Sequence, residues 1–177
     1  IVFLDAYRKN VRNFDIEKAY EGIRKNATDA TMLPWRNGPR TSLDTFYRAK
    51  GYFPALHPEE VETVKEVHDF EKRQSVAITL GHSYDDWALS EMAKELGKTE
   101  DQNYFSQQAL NYSNLYRPDK KMFWPKDADG NWIEIDPKFD GGPGGRDYYD
   151  ENNAYTYQWQ VQQDIPGLIK MMGGPEK

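Results

Sequence analysis

Residues 75–96 repeat apolar side chains at helical spacing with no proline to interrupt them. Val76, Leu80, Tyr84, Trp87, Met92 and Leu96 make a broad stripe, and Gly97 ends it. A helix of this length must bury its stripe against other elements, so it constrains the fold more than any other stretch. The neighbouring segments read the same way. Thr99-Glu100-Asp101-Gln102 opens a helix that Tyr104, Phe105, Leu110, Tyr112 and Leu115 carry to about residue 116, before Pro118. Upstream, Leu4, Tyr7 and Val11 put residues 1–10 in the tail of a helix. Asn13 or Asp15 caps the next, over 16–28. Thr41 or Ser42 caps a short helix through Lys50 that Gly51 closes. Near the end, helix is predicted over 154–160, and again over 164–172. Asp164 is the cap of that last helix, and Pro166 sits in its first turn.

The connections are long. Two prolines and a glycine keep 33–40 irregular, and Pro54 and Pro58 do the same for the start of 52–74. Over 121–137, Phe123-Trp124, the turn Asp129-Gly130 and Trp132-Ile133-Glu134-Ile135 predict a β-hairpin. Gly141-Gly142-Pro143-Gly144-Gly145 lacks the Lys-Ser/Thr of a phosphate loop and reads as a connector. The class is therefore all-α with one small β-hairpin. No repeat of fixed period appears. Helical hairpins with elaborate loops suit an α/α toroid, in which the loops at one rim build a pocket.

Composition removes several functions. Lys+Arg is 23 against Asp+Glu 29 in 177 residues, a net charge of -6, which argues against a nucleic-acid partner. No apolar run is long enough for a membrane span. With no cysteine, disulfides, thiolate zinc sites and cysteine nucleophiles are excluded. Aromatics reach 14%, weighted to tyrosine, and such amphipathic rings suit sugar-binding or protein-binding surfaces. The chain opens without Met at Ile1-Val2-Phe3-Leu4, inside an apolar stretch, and stops at Gly173-Gly174-Pro175-Glu176-Lys177. It reads as a piece cut from a longer domain, so the lack of a leader peptide carries no information on compartment.

Few constellations carry chemistry. Asp127-Ala128-Asp129-Gly130-Asn131 looks like a calcium loop, but Pro125 would occupy its first ligand position, which leaves an Asp-Gly turn. Asp85 and Asp86 are adjacent on a helix and point about 100° apart, so they are no facing pair. One is expected in solvent and the other inside, held by hydrogen bonds. His57, His68 and His82 have no metal-ligand spacing. Trp35 and His57 lie in loops, a usual place for ligand contacts. The more informative acid is Glu151, set among Tyr148, Tyr149, Asn152 and Asn153 and followed by Tyr155, Tyr157 and Trp159. A carboxylic acid walled by aromatic rings resists ionisation, which suits a general acid near neutral pH.

The string from Asp147-Tyr148-Tyr149-Asp150-Glu151-Asn152-Asn153-Ala154 through Trp159, continuing Gln163-Asp164-Ile165-Pro166-Gly167-Leu168 to Met172-Gly173-Gly174, resembles glycoside hydrolase family 92. Tyr84-Asp85-Asp86-Trp87, Met92-Ala93-Lys94-Glu95-Leu96-Gly97, Asn111-Tyr112 and Asp127-Ala128-Asp129-Gly130-Asn131-Trp132 follow in the family's order, so the resemblance covers nearly the whole chain. It implies part of an (α/α)6 toroid, with residues 1–177 an inner fragment of the catalytic domain. It also implies a calcium-dependent, exo-acting, inverting α-mannosidase acting on mannose-containing glycans. Glu151 matches the family's catalytic acid. The base and most calcium-site residues lie in a segment downstream of this one, so the fragment is expected to be inactive and prone to self-association. The resemblance points to a secreted, periplasmic or cell-surface bacterial setting. Tyr155 stands where the family often has Trp, and Gln162-Gln163 where it often has Pro-His. The alternatives are a non-catalytic sugar-binding module and a helical interaction scaffold.

Overall fold

The computed structural model describes residues 1–138 and 146–174; the glycine-rich stretch 141–145 and the last three residues lie outside them. Seven α-helices carry the described chain: α1 (Val2–Arg8), α2 (Ile16–Asp29), α3 (Ser42–Lys50), α4 (Ser75–Glu95), α5 (Thr99–Gln108), α6 (Ala154–Tyr157) and α7 (Ile165–Met171). Most begin where local chemistry says they should. Asp15 accepts from the Lys18 N–H, Thr41 and Asp44 form a capping box, and Asp164 accepts from the Gly167 N–H. Gly51 closes α3 at φ 74, and a Cβ there would lie 2.4 Å from the Asn114 amide nitrogen, so only glycine fits. No regular element forms between α3 and α4, as the prolines of that stretch require.

Helix α4 is the spine. Val76 and Leu80 pack into a core with Tyr112, Leu115, Phe123, Trp124 and Tyr149. Its other end packs Ala88, Leu89, Met92 and Ala93 against Leu4, Tyr20 and Phe105. A third cluster, with Met32, Leu33, Leu43, Tyr47, Phe53 and Val67, gathers α3 and its loops and takes Ile78 from α4 at its edge. The buried surface of α4 is thus wider than one stripe, because Ser75, Thr79, Ser83 and Ser90 are buried too. Three of those hydroxyls return hydrogen bonds to the helix's own carbonyls: Thr79 to Ser75, Ser83 to Thr79 and Ser90 to Trp87. Those three are satisfied inside the helix, while the Ser75 hydroxyl is buried without a partner among the described residues.

Two boundaries and the hairpin differ from expectation. Helix α5 stops at Gln108, and Asn111–Leu115 tightens into a 3₁₀ turn in which Ser113 donates to the Leu110 carbonyl. Helix α6 ends at Tyr157, where Trp159 and Gln160 donate instead to the carbonyls three residues back. The antiparallel ladder joins β1 (Tyr116–Arg117) to β2 (Met122–Phe123), pairing Tyr116 with Phe123 and Arg117 with Met122. The Asp129-Gly130 turn does form, with Gly130 at φ 91, but only the single bridge between Lys126 and Trp132 flanks it. Pro125 has no N–H to give a longer ladder. The Asp127 carboxylate also draws the Asp129 and Asn131 N–H groups into a closed loop. Among the described residues no helix is long and apolar enough to cross a membrane.

Candidate active site

Helix α4 begins without a side-chain cap, at Gln74 with φ 47. Its free N–H groups are met from far downstream: Gln74 donates to the Arg146 carbonyl, Ser75 to Asp147, and Val76 and Ala77 to Tyr148. This lays the strip 146–148 across the helix start. The next residues are pinned by tyrosines. Tyr148 donates to the Leu56 carbonyl at 3.0 Å, and Tyr149, wholly buried, donates to the Phe123 carbonyl at 2.9 Å. Tyr157 packs its ring 5.2 Å from that of Tyr149, and its hydroxyl accepts from the Asp150 N–H at 3.0 Å. The asparagines cap the outgoing helix. Asn153 accepts from the Tyr155 N–H, and Asn152 accepts from the Thr156 hydroxyl.

Glu151 sits at the apex of this turn, in the left-handed region at φ 53. A non-glycine residue there costs roughly 1–2 kcal/mol, which the pinned flanks sustain. The aromatic wall expected around Glu151 does not form. Its side chain is 68% exposed, Tyr149 and Tyr157 turn into the core, and Tyr155 and Trp159 face solvent. Its partner is Arg146, whose Nη2 donates to the Glu151 Oε1 at 2.5 Å.

The sequence reading missed that arginine, and with it a small charged cluster. Arg146 Nη1 donates to Glu71 Oε2 at 2.7 Å and to Asp150 Oδ1 at 2.8 Å, while Gln74 Nε2 donates to the same Glu71 oxygen at 3.0 Å. The guanidinium also lies 5.0 Å from the centre of the Phe70 ring. Arg146 and Glu71 are nearly buried, at 11% and 12% side-chain exposure, so they form the fixed base on which the exposed Glu151 stands. One cation faces three carboxylates. Burial pushes the Asp150 carboxyl above its ordinary range; Arg146 opposes that rise, while Glu151 and Glu71 add to it. The sequence offered one weak signal: an Arg five residues before the candidate acid and beside a glycine run.

Of the other singled-out residues, His68 adjoins this cluster: its Nδ1 accepts from the N–H groups of Phe70 and Glu71. His57 Nε2 sits 3.3 Å from Asp127 Oδ2, and burial pushes His82 below the usual imidazole range. Trp35 is 82% exposed on its loop, at φ 56. Both oxygens of Asp127 are engaged by Asp129, Asn131 and His57, so this loop does not offer them to a cation. Among the described residues no group of three or more His, Asp or Glu could hold a metal ion. Asp85 is exposed and Asp86 is buried, as their spacing predicts. The expected hydrogen bonds to Asp86 are missing, however: no described residue bonds its carboxyl, and burial pushes it up to about 7 against the pull of Arg48.

Residues 1–177 match the glycosyl hydrolase family 92 catalytic domain. Over 97% of its length the chain is similar to an inverting mannosidase of that family from Bacteroides thetaiotaomicron, with 31% identity and a TM-score of 0.76. A family 92 α-mannosidase of the same organism, solved with mannoimidazole, matches at 31% identity and a TM-score of 0.77, also over 97% of the chain. An uncharacterized secreted glycosidase from Arthroderma benhamiae is 27% identical over 197 residues, covering all of the chain. The chain spans 24% of that relative and 21% and 20% of the two solved structures.

Proposed function

The chain belongs to glycosyl hydrolase family 92, and on that footing we propose that it is an inner part of the catalytic domain of an exo-acting, inverting α-mannosidase that releases terminal α-linked mannose from glycans. The observation that carries this reading is the family match across residues 1–177, together with the likeness to two solved mannosidases over nearly the whole chain. The helices around α4 are then one arc of an (α/α)6 toroid whose remaining helices lie outside this chain.

Glu151 is the general acid in this reading. It stands on a rigid turn with its carboxyl open to solvent, the arrangement needed to hand a proton to a glycosidic oxygen as the bond to the anomeric carbon breaks. Inversion needs a second carboxylate about 6.5–9.5 Å away, across the sugar, to take a proton from the attacking water. That base belongs to the part of the enzyme not contained in 1–177, so the isolated chain is inactive. The described residues do not fit a calcium site, so calcium, as the cofactor of the complete enzyme, is held mostly by residues outside this chain. Of the secreted, periplasmic and cell-surface settings, the first agrees with the description of the Arthroderma relative as a secreted glycosidase.

The test is kinetic. In the complete enzyme, Glu151→Gln lowers kcat by about a hundredfold or more on an alkyl α-mannoside, whose leaving group needs a proton. On a dinitrophenyl α-mannoside, whose leaving group needs none, the loss is small. Equal losses on both substrates overturn the assignment of the acid.

A further inference from the structure

Arg146 touches the proposed acid with one nitrogen and two other carboxylates with the other. A guanidinium is a rigid planar fork, so fixing one end aims the other. Here the Nη1 end is fixed in depth. Glu71, 12% exposed, receives it, and Glu71 is itself held by Gln74 at the start of α4. The Phe70 ring faces the guanidinium, and the Arg146 carbonyl is tied to the Gln74 N–H. The Nη2 end has one described partner, the exposed carboxyl of Glu151. An exposed Glu has three free torsions, and among the described residues only Arg146 restrains those of Glu151. The backbone turn sets where Glu151 begins; Arg146 sets where its carboxyl ends.

We infer that Arg146, anchored on Glu71, is a positioning residue that holds the Glu151 carboxyl in the orientation from which it protonates the leaving oxygen. The inference rests on the general-acid reading of Glu151. One oxygen, Oε1, receives the arginine, which leaves Oε2 to carry the proton towards the substrate. The arginine does not touch the reacting atoms. Its effect passes entirely through Glu151, and this separates it from a purely structural ion pair. Losing such a pair would loosen the start of α4 and slow every substrate alike.

The experiment compares the complete enzyme with Arg146→Gln, Arg146→Lys, Glu151→Gln and the double variant Arg146→Gln/Glu151→Gln, on an alkyl and a dinitrophenyl α-mannoside. Thermal melting is measured on each. Arg146→Gln is expected to lower kcat on the alkyl mannoside by about tenfold or more and on the dinitrophenyl mannoside by less than about threefold. It should add nothing to the loss already present in Glu151→Gln, since residues acting as a unit are not additive. Arg146→Lys keeps the charge but not the fork, and should show the same selectivity for the poor leaving group even if Arg146→Gln melts too low to assay. Equal losses on the two substrates in a folded arginine variant, or losses that multiply in the double variant, overturn the positioning role while leaving Glu151 as the acid. If Glu151→Gln itself loses equally on both substrates, the acid assignment fails, and the role of Arg146 fails with it.

Discussion

The Tyr149 hydroxyl donates to the Phe123 carbonyl, tying the turn that carries Glu151 to the β1–β2 ladder. Both residues are fully buried, so the bond is made away from water, where losing it is most costly.

Removing that hydroxyl tests how far the turn depends on it. Tyr149→Phe keeps the ring and its packing on Tyr157 but loses the bond. A stability loss of about 1–2 kcal/mol is expected by chemical denaturation. Turnover on the alkyl mannoside should fall as well, because the turn that positions the acid is less constrained. A variant with unchanged stability would mean that ring packing alone holds the turn.

Gly167 lies in the first turn of α7, directly over its cap. A Cβ there would stand 2.2 Å from Asp164 Oδ2 and 2.7 Å from the Tyr112 hydroxyl. Those two atoms are hydrogen-bonded to each other at 2.6 Å, and Asp164 also caps the helix through the Gly167 N–H. Alanine is normally the better helix former, yet Gly167→Ala must push the carboxylate aside. It should therefore destabilise by about 1–3 kcal/mol rather than stabilise. A raised melting temperature would contradict this.

Asp86 makes a prediction about pH. Its carboxyl, pushed up to about 7 by burial, sits above the value near 3.9 of an unfolded chain. The folded state holds the proton more tightly, so this group costs nothing below about pH 4, and its cost grows as pH rises and levels off above about 7. With no hydrogen bond to defend, Asp86→Asn should raise the melting temperature at pH 8 and leave it nearly unchanged at pH 4. The gain is on the order of 1–4 kcal/mol. A variant less stable at both pH values would show that the charge is compensated by groups outside this chain.

The isolated chain of residues 1–177 should release no mannose from an aryl α-mannoside and should show no tight calcium binding by calorimetry. Val2, Trp159 and Ile165 leave large apolar surface exposed, at 78%, 59% and 48%. The isolated chain should therefore self-associate in light scattering. Chelator-sensitive turnover, or a monodisperse monomer, would overturn the corresponding part.

What could be read from the sequence was local. Asp15, Thr41, Gly51 and Asp164 mark helix ends because a cap involves residues three or four apart. The ladder was misplaced because Asp129-Gly130 is a strong turn signal, whereas the closure over 118–121 rests on Lys121 taking φ 54, which its residue type does not announce. The split between Asp85 and Asp86 follows from helix geometry, but whether a partner reaches the buried one depends on other elements. The Arg146 cluster was invisible for the same reason: Arg146 joins Glu71 to Glu151 only because the strip 146–148 docks on α4. The tyrosines and asparagines beside Glu151 drew attention as walls of a pocket, and most of them are instead pins and caps of its turn.

The uncapped start of α4 has a consequence for the order of assembly. During synthesis the helix emerges from the ribosome well before Arg146, Asp147 and Tyr148 do, so its first turn has no acceptors to close on and stays frayed. Arrival of that later strip completes the helix and seats the acid in one event. A ribosome stalled before residue 146 would therefore hold a nascent chain whose longest helix is unfinished at the end nearest the chemistry.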